Sequence, residues 1–377
     1  MTSRERVLSA FSRKGYDRIP VKHEGTPETN RMVMEHYGLR NLNQLLKVLG
    51  DDFRYVEAKY IGPELKRYPD GSFEGYWGER YAYAQFEKGR YSESVYQPYA
   101  GVDTLSKLDR SHFPSSSWFD YSSIREQAEA LRGEYAVCYG GCADFDFINC
   151  ISRARGMEEV LMDLIDDNEV LREIMNARFR FYYEMHEKAL QAADGLIDFI
   201  HMGEDLGTQR GPMISLDIFE KYFAPMYKKY FRMVHNYGAK VMMHMCGTVD
   251  SFLPRLIELG LDIQDVVQPT TPEMDIENLK NRFGAKLVFQ GSLDVQREIA
   301  FGTPDDVRRE VRRRKSLFPK GGLFLGPTHA IQPGSPLENI LALYDEAGSR
   351  MKSIDQSVYA IGGEDYDLSK VNLAKLC

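Results

Sequence analysis

The chain has 377 residues, of which 43% are hydrophobic and 28% are charged, as in an ordinary soluble globular protein. A formal net charge of -8 and a pI near 5.6 argue against a phosphate-backbone partner, so we expect no nucleic acid. No apolar stretch approaches a membrane span, and the five cysteines form no even framework of disulfides. We therefore expect no membrane contact and a cytoplasmic location.

The amino-terminal segment alternates short helices with two short strands. Thr2 and Glu5 form the capping-box pattern of a first helix. A short apolar run over residues 17–21 then ends at His23 and Glu24, and we interpret it as the first strand. Two helices and a second strand are predicted next, at residues 27–36, 42–49 and 53–58.

Residues 60–101 differ from the rest of the chain because they are rich in Tyr, Phe and Gly and lack a helical period. Asp70-Gly71 lies between polar-aromatic alternations, which is a hairpin signal. We predict an antiparallel hairpin insertion. Its aromatic side chains either pack the insertion onto the main body or line a substrate lid.

From Tyr135 onward, apolar strand candidates alternate regularly with helical stretches. Together with the two early strands they make eight, the count of a closed (β/α)8 or TIM barrel. We therefore predict an α/β protein with one barrel domain over residues 1–350, the insertion at 60–101 and a tail at 351–377. The six later strands are predicted to end at Tyr139, His201, Met245, Val267, Gln290 and Leu325.

Functional groups of TIM barrels gather at the carboxyl ends of the strands. The predicted strand ends of this chain carry many metal ligands and acid-base groups, and the candidates are Tyr139, His201, Glu204, Asp205, His244, Cys246, Gln290, Asp294 and His329.

The strand end at His244 and Cys246 is the most informative. Residues two apart in an extended chain point to the same side, so this imidazole and thiolate can bind one ion. Catalytic zinc sites usually have three protein ligands and one open position. We expect His329, after the eighth strand, to be the third ligand, and Glu204 to be a further ligand or a base. The alternative is that His201 and His329 only bind backbone groups at the rim.

Four stretches of the sequence carry a resemblance to a known superfamily. They are RERVLSAF with DRIPV, GAKVMMHMCGTVDSFLPRLIELGLDIQD, FQGSLDVQREIAFGTPDDV and HAIQPGSPLENILALYDEA. In these the chain resembles the uroporphyrinogen decarboxylase superfamily, and most closely its zinc-dependent, corrinoid-linked methyltransferases. The resemblance implies a Zn²⁺ site, a small methylated substrate and a corrinoid (cobalamin) carried by a partner protein. It is also compatible with a homodimer.

Two departures from the superfamily bear on function. The arginine-rich loop that grips tetrapyrrole carboxylates in the decarboxylases is replaced by KHEGTPETNRM, in which Arg31 is the only arginine. The last cysteine of the methyltransferases is replaced by Thr328-His329. A His, Cys, His site holds less negative charge than a two-thiolate site, so its zinc is the stronger Lewis acid. That favours activation of an oxygen, as in a methyl ether or alcohol.

Our leading hypothesis is methyl transfer from a small methylated donor, such as a methoxylated aromatic, to a corrinoid protein. Zinc on His244, Cys246 and His329 polarises the leaving oxygen, and Glu204 or Asp205 manages its proton. The donor is expected to contact Tyr139, His201, Gln290 and Asp294.

Two alternatives remain open. One is a tetrapyrrole decarboxylase relative that uses Arg31, Asp52 and Arg210. The other is a corrinoid or tetrapyrrole binder without catalysis.

Overall fold

The structure is a computed structural model that describes residues 1–269 and 271–367. Its helices, in chain order, are α1 (Ser3–Phe11), α2 (Pro27–Tyr37), α3 (Leu42–Leu49), α4 (Ile124–Arg132), α5 (Asn149–Arg155), α6 (Met157–Asp166), α7 (Glu169–Ala193), α8 (Leu216–Ile218), α9 (Ala224–Asn236), α10 (Leu253–Leu259), α11 (Ile276–Phe283), α12 (Glu298–Phe301), α13 (Pro304–Leu317), α14 (Leu337–Ala347) and α15 (Gln356–Tyr359). A π-helical turn, Phe219–Phe223, joins α8 to α9.

The strands contain between two and ten residues. In chain order they are β1 (Phe53–Tyr55), β2 (Lys59–Tyr60), β3 (Phe73–Glu74), β4 (Arg80–Phe86), β5 (Gly89–Tyr96), β6 (Phe119–Asp120), β7 (Ala136–Phe145), β8 (Phe199–Gly203), β9 (Gly207–Thr208), β10 (Gly211–Pro212), β11 (Lys240–His244), β12 (Ile263–Val267), β13 (Val288–Leu293) and β14 (Leu323–Pro327). The parallel strands alternate with helices along the chain, which confirms the predicted α/β class of TIM-barrel type.

The described chain divides into two compact units. The first comprises Met1–Arg54, Leu131–Val137 and the described residues from Asp262 onward, and the second comprises Tyr55–Ala130 and Cys138–Leu261. The boundaries predicted for the single domain stay a prediction.

In the first unit, β12, β13 and β14 are parallel neighbours. Phe289 pairs with Leu323, and Leu293 pairs with Pro327. The predicted first strand is reduced to a bridge in which Val21 pairs in parallel with Leu325. The residues of β13 and β14 are buried throughout, and most of them are apolar, with Gln290 and Ser292 as the exceptions.

The described part of the tail is attached to the first unit. The backbone N–H of Tyr366 donates to the carbonyl of Arg40 at 2.7 Å. The side chains of Asn41 and Gln44 both donate to the carbonyl of Ile361 at 3.1 Å. The rest of the predicted tail, residues 368–377, lies outside the described residues.

In the second unit, β7, β8 and β11 form a parallel ladder in which Cys138 pairs with Phe199 and Met242 pairs with His201. The third predicted strand extends beyond its expected end at Tyr139, since β7 continues to Phe145 after an irregularity at Gly140. Close backbone contact explains the glycine at position 203: a Cβ there would lie 1.8 Å from the carbonyl oxygen of Cys142.

The predicted hairpin insertion is present in the second unit. β3, β4 and β5 form an antiparallel sheet, and Tyr83 pairs with Ser92. The predicted turn at Asp70-Gly71 precedes β3. In this turn Gly71 has a φ of +85°, and the Asp70 carboxylate accepts from the Ser72 N–H at 2.9 Å. Among the described residues, no helix is both long and apolar enough to cross a bilayer. The cytoplasmic location stays a prediction.

Candidate metal site and its surroundings

His244 and Cys246 lie together at the end of a buried strand. His244 is the last residue of β11 and is 6% exposed. Its Nε2 atom lies 3.3 Å from the Sγ atom of Cys246. A tetrahedral zinc ion bonded to nitrogen at about 2.1 Å and sulfur at about 2.3 Å places those atoms roughly 3.5 Å apart. The pair therefore has the spacing of two ligands that share one zinc ion.

The loop after Cys246 is fixed by backbone contacts within the second unit. Gly247 has a φ of +76°, and a Cβ there would lie 2.7 Å from Gly207 and Thr208. The N–H of Thr248 donates to the carbonyl of Thr208 at 2.9 Å. Glycine is required at this position because both its backbone conformation and the space around it exclude a side chain. Cys246 therefore precedes a loop whose backbone conformation is fixed by these contacts.

Asp205 connects the ends of two neighbouring strands. Its carboxylate accepts the backbone N–H of Cys246 at 2.7 Å and the side-chain N–H of Asn149 at 2.8 Å. The sequence places Asp205 correctly after β8, but its contact with Cys246 could not be predicted, and no signal marks Asn149. The carboxylate therefore orients the cysteine through its backbone, a role usual for residues around a metal ligand.

Glu204 is buried and fully hydrogen bonded. It is 1% exposed, and its two carboxyl oxygens accept the N–H groups of Phe147 and Ile148 at 2.8 and 3.0 Å. The hydroxyl of Tyr227 donates to it at 2.8 Å. Burial raises the pKa of Glu204 well above its ordinary value, and the nearby charge of Asp146 raises it further. The structure thus ties Glu204 to the segment after β7.

Asp146 belongs to the same group of carboxyls. Burial, with the charge of Asp205 as the second cause, raises the pKa of Asp146 to about 6. Its carboxylate accepts the N–H of Asn149 at 2.9 Å. The carboxyl groups of Asp146, Glu204 and Asp205 therefore all accept hydrogen bonds from residues 147–149, where α5 begins.

His201 and Tyr139 are both buried at strand positions of the second unit. The Nδ1 atom of His201 lies 3.0 Å from the hydroxyl of Tyr55, and its ring centre is 6.4 Å from that of His244. Tyr139 packs edge-on against His186, with ring centres 5.4 Å apart. Tyr55 was missed from the sequence because it lies at the end of a three-residue strand with no motif.

The remaining predicted site residues belong to the first unit. His329 is half-buried and follows Thr328, whose N–H donates to the carbonyl of Leu293 at 2.8 Å. Gln290 is fully buried, and neither polar atom of its amide has a hydrogen-bond partner in the described part of the chain. Asp294 is 2% exposed and accepts the N–H of Gln296 at 2.7 Å.

Asp52, proposed above for a decarboxylase, has a structural role instead. It is fully buried, and its carboxylate accepts from Arg6 at 2.7 Å and from Arg18 at 2.8 Å. It also accepts the backbone N–H of Val21 at 2.8 Å. With its oxygens engaged by these donors, Asp52 is occupied in holding the first unit together and is not exposed to a substrate.

Two features place this chain in a structural class. It has the TIM-barrel type of α/β fold, and a His-x-Cys pair lies at the end of one parallel strand, so it is a candidate metal-binding protein of that fold. The chain belongs to the uroporphyrinogen decarboxylase (URO-D) family, whose model matches residues 89–349. The match covers more than half of the chain, including β11 and β14. None of the curated proteins compared with the chain matches it.

The solved structures that are similar to this chain include one that shares its fold. A methyltransferase from Methanosarcina mazei aligns with a TM-score of 0.61 and 14% identity, covering 92% of this chain and 98% of its own. A dihydropteroate synthase from Anaplasma phagocytophilum aligns with a TM-score of 0.32 and 17% identity over 48% of this chain and 69% of its own. A D-psicose 3-epimerase from Clostridium cellulolyticum H10 aligns with a TM-score of 0.35 and 10% identity, over 66% and 80%.

Proposed function

We propose that this protein is a zinc-dependent methyltransferase that moves a methyl group from a small methylated donor to a corrinoid protein. The observation that carries the proposal is the 3.3 Å separation of the His244 and Cys246 ligand atoms. The fold shared with a methyltransferase from Methanosarcina mazei supports it. Membership of the URO-D family is compatible with it, because the family resemblance includes corrinoid-linked methyltransferases.

His244, Cys246 and His329 are the proposed zinc ligands. His244 ends β11, Cys246 lies two residues later and His329 follows β14, and carboxyl ends of barrel strands are where such groups gather. One thiolate and two neutral imidazoles leave the ion with a net positive charge. When bound, zinc would supply a Lewis acid that polarises the leaving oxygen of the donor. This favours an oxygen-bound methyl group, and a methoxylated aromatic is our first candidate.

The protein residues around the pair bind, orient and handle protons. Asp205 orients Cys246 through its backbone N–H and is the better placed of the two proposed acid-base groups. Glu204 accepts three hydrogen bonds, and in our proposal it acts through the adjacent carboxyls. In our proposal, the donor contacts Tyr139, His201, Gln290 and Asp294. Burial of these four residues would exclude water from the transfer.

The test uses a methoxylated phenol as donor and free cobalamin, reduced to the cobalt(I) state, as acceptor. The proposal predicts formation of the demethylated phenol and of methylated corrinoid, with loss of both for His244→Ala. Formation of less carboxylated porphyrins from uroporphyrinogen, with no methyl transfer, would instead establish the decarboxylase alternative. Corrinoid binding without any product would establish a binder. The homodimer stays a prediction.

A further inference from the structure

Arg178 is a buried arginine of α7 whose charge lies inside the second unit. Only 3% of it is exposed to solvent. One edge of its guanidinium group binds the end of β7: Nε donates to the carbonyl of Phe145, and Nη2 donates to the carbonyl of Ala143 at 2.8 Å. The donors of a planar guanidinium group have a fixed spacing, so together they fix the relative position of these two carbonyls.

These contacts lie where the backbone of β7 changes conformation. Phe145, the last residue of β7, has a φ of +75°. Residues that carry a bulky side chain rarely adopt this left-handed conformation, and it persists where surrounding contacts fix it. The N–H of the next residue, Asp146, donates to the carbonyl of Gly203 at 2.9 Å. Arg178 therefore binds the residue from which the segment 146–149 leaves the strand.

The segment 146–149 is hydrogen bonded to two residues that support the candidate metal site. Two of its backbone N–H groups donate to Glu204, whose own N–H donates to the carbonyl of His244 at 2.9 Å. Its asparagine side chain donates to Asp205, which accepts the N–H of Cys246 at 2.7 Å. Hydrogen bonds within the second unit therefore connect this segment to the backbone of both candidate ligands.

The rings of Trp77 and Tyr182 lie close to the guanidinium group. Its central carbon is 5.6 Å from the ring centre of Trp77 and 4.9 Å from that of Tyr182. Trp77 belongs to the insertion between β3 and β4, and its carbonyl accepts the hydroxyl of Tyr99 at 3.0 Å. Burial raises the pKa of Glu79 in the same loop, and the charge of Arg178 opposes that rise. Aromatic rings and a carboxyl group of the insertion therefore stabilise the buried cation.

Burying a guanidinium group costs free energy, and an apolar side chain would fill the same space without that cost. We propose that Arg178 is a positioning residue, which holds the end of β7 so that residues 146–149 support the candidate metal site. Its effect on metal binding rests on the proposed function. Its effect on residues 146–149 does not, because that effect depends on hydrogen bonds that need no ion.

The first experiment measures amide hydrogen exchange in the purified full chain without added metal. Arg178→Lys keeps the charge but loses the planar pair of donors. Exchange at residues 146–148 should become at least about 10-fold faster, the effect of one lost hydrogen bond to a charged group, while the rest of the chain stays protected. Arg180→Lys, at an exposed arginine two positions further along α7, is the matched control and should exchange as the wild type does.

Unchanged exchange at residues 146–148 in Arg178→Lys would overturn the proposal. Equal loss of protection throughout the chain would also overturn it, because Arg178 would then only stabilise the fold. Arg178→Gln is the second variant in case Arg178→Lys folds poorly. Its one amide group replaces two fixed donors, so the same local change is expected.

The second experiment titrates Co²⁺ and follows the absorption band of the cobalt-bound thiolate. Arg178→Lys should weaken Co²⁺ binding about 10-fold, the lower end of the effect of residues around a metal ligand, and Arg180→Lys should not. Asn149→Ala removes the contact with Asp205. Combined with Arg178→Lys, it should cost less than the product of the two single effects, because both substitutions act through one segment.

The two proposals fail in different ways. If the wild type binds no Co²⁺, the proposed function is contradicted, and hydrogen exchange alone decides whether Arg178 positions residues 146–149. If the wild type and Arg178→Lys bind Co²⁺ equally, with the same absorption band, the positioning role in the metal site is overturned and the proposed function stands.

Discussion

The Nε2 atom of His244 and the Sγ atom of Cys246 lie 3.3 Å apart at the end of β11. One residue separates them: His244 ends the buried strand β11, and Cys246 follows in a loop, where its backbone N–H donates to Asp205. The two side chains therefore lose little conformational entropy when one metal ion binds both atoms.

Asp205→Ala is expected to weaken zinc binding while leaving the fold intact. The substitution removes the acceptor of the Cys246 N–H, so the sulfur loses its orientation. Loss of such a supporting group typically costs about 10- to 100-fold in metal affinity. Competition with a chromogenic chelator measures it. Asp217→Ala, at an exposed aspartate, should bind zinc as the wild type does, and equal affinity in both variants would contradict the assigned role of Asp205.

Tyr55→Phe is expected to raise KM for the donor several-fold with little change in zinc content. The hydroxyl lies 3.0 Å from Nδ1 of His201, and without it the imidazole loses this hydrogen-bond partner. Steady-state kinetics on the methoxylated donor, with zinc measured in the same sample, provide the readout. A variant with unchanged KM and reduced zinc would mean that Tyr55 supports the metal rather than the donor.

Asp146→Asn is expected to reduce the pH dependence of stability. The folded protein raises the pKa of Asp146 from an ordinary 3.8 to about 6, so it binds more protons than the unfolded chain between those values. The protonated Asp146 carboxyl therefore stabilises the folded protein below about pH 4, and this stabilisation is lost as pH rises to about 6. For a shift of this size, the free energy of unfolding falls by roughly 3 kcal/mol. Urea unfolding at pH 4 and pH 7 should show a smaller difference for the variant. An unaltered difference would mean that Asp146 does not titrate in this window.

Gly203→Ala is expected to destabilise the protein severely, because its Cβ would lie 1.8 Å from the carbonyl oxygen of Cys142. Gly141→Ala is the control, since nothing lies within 4 Å of the Cβ that it would add. Overpacking of this kind costs about 1 to 3 kcal/mol or more. Thermal unfolding should show a large fall in Tm for the first variant and little change for the second. Similar Tm values would contradict the strand contact between β7 and β8.

Periodicity predicted the fold class because buried parallel strands are continuous apolar runs, as in β11 and β14. It overestimated the first strand, where the backbone at Val21 forms only a bridge, and underestimated β7, which continues past Gly140 through an irregularity. Such departures depend on close contacts between backbones that are distant in sequence. The local sequence pattern therefore does not predict them.

The candidate site was predictable where a motif marks it, as at His244 and Cys246, and where a residue follows a strand end, as at Asp205. The partners of these residues were not predictable. Asn149 lies 56 positions before Asp205 and reaches it only because the segment after β7 folds back over the end of β8. The motif therefore predicts the candidate ligands, whereas the hydrogen bonds around them depend on the tertiary fold.

The most direct measurement is zinc per chain in purified protein, compared with His244→Ala, Cys246→Ala and His329→Ala. The proposal predicts about one zinc in the wild type and a large loss in each of the three, since removal of one of three protein ligands leaves too few to hold the ion. His112→Ala, at a partly exposed histidine, is the control and should retain the metal. Zinc content that is unchanged by His244→Ala or by His329→Ala would contradict the proposed ligand set.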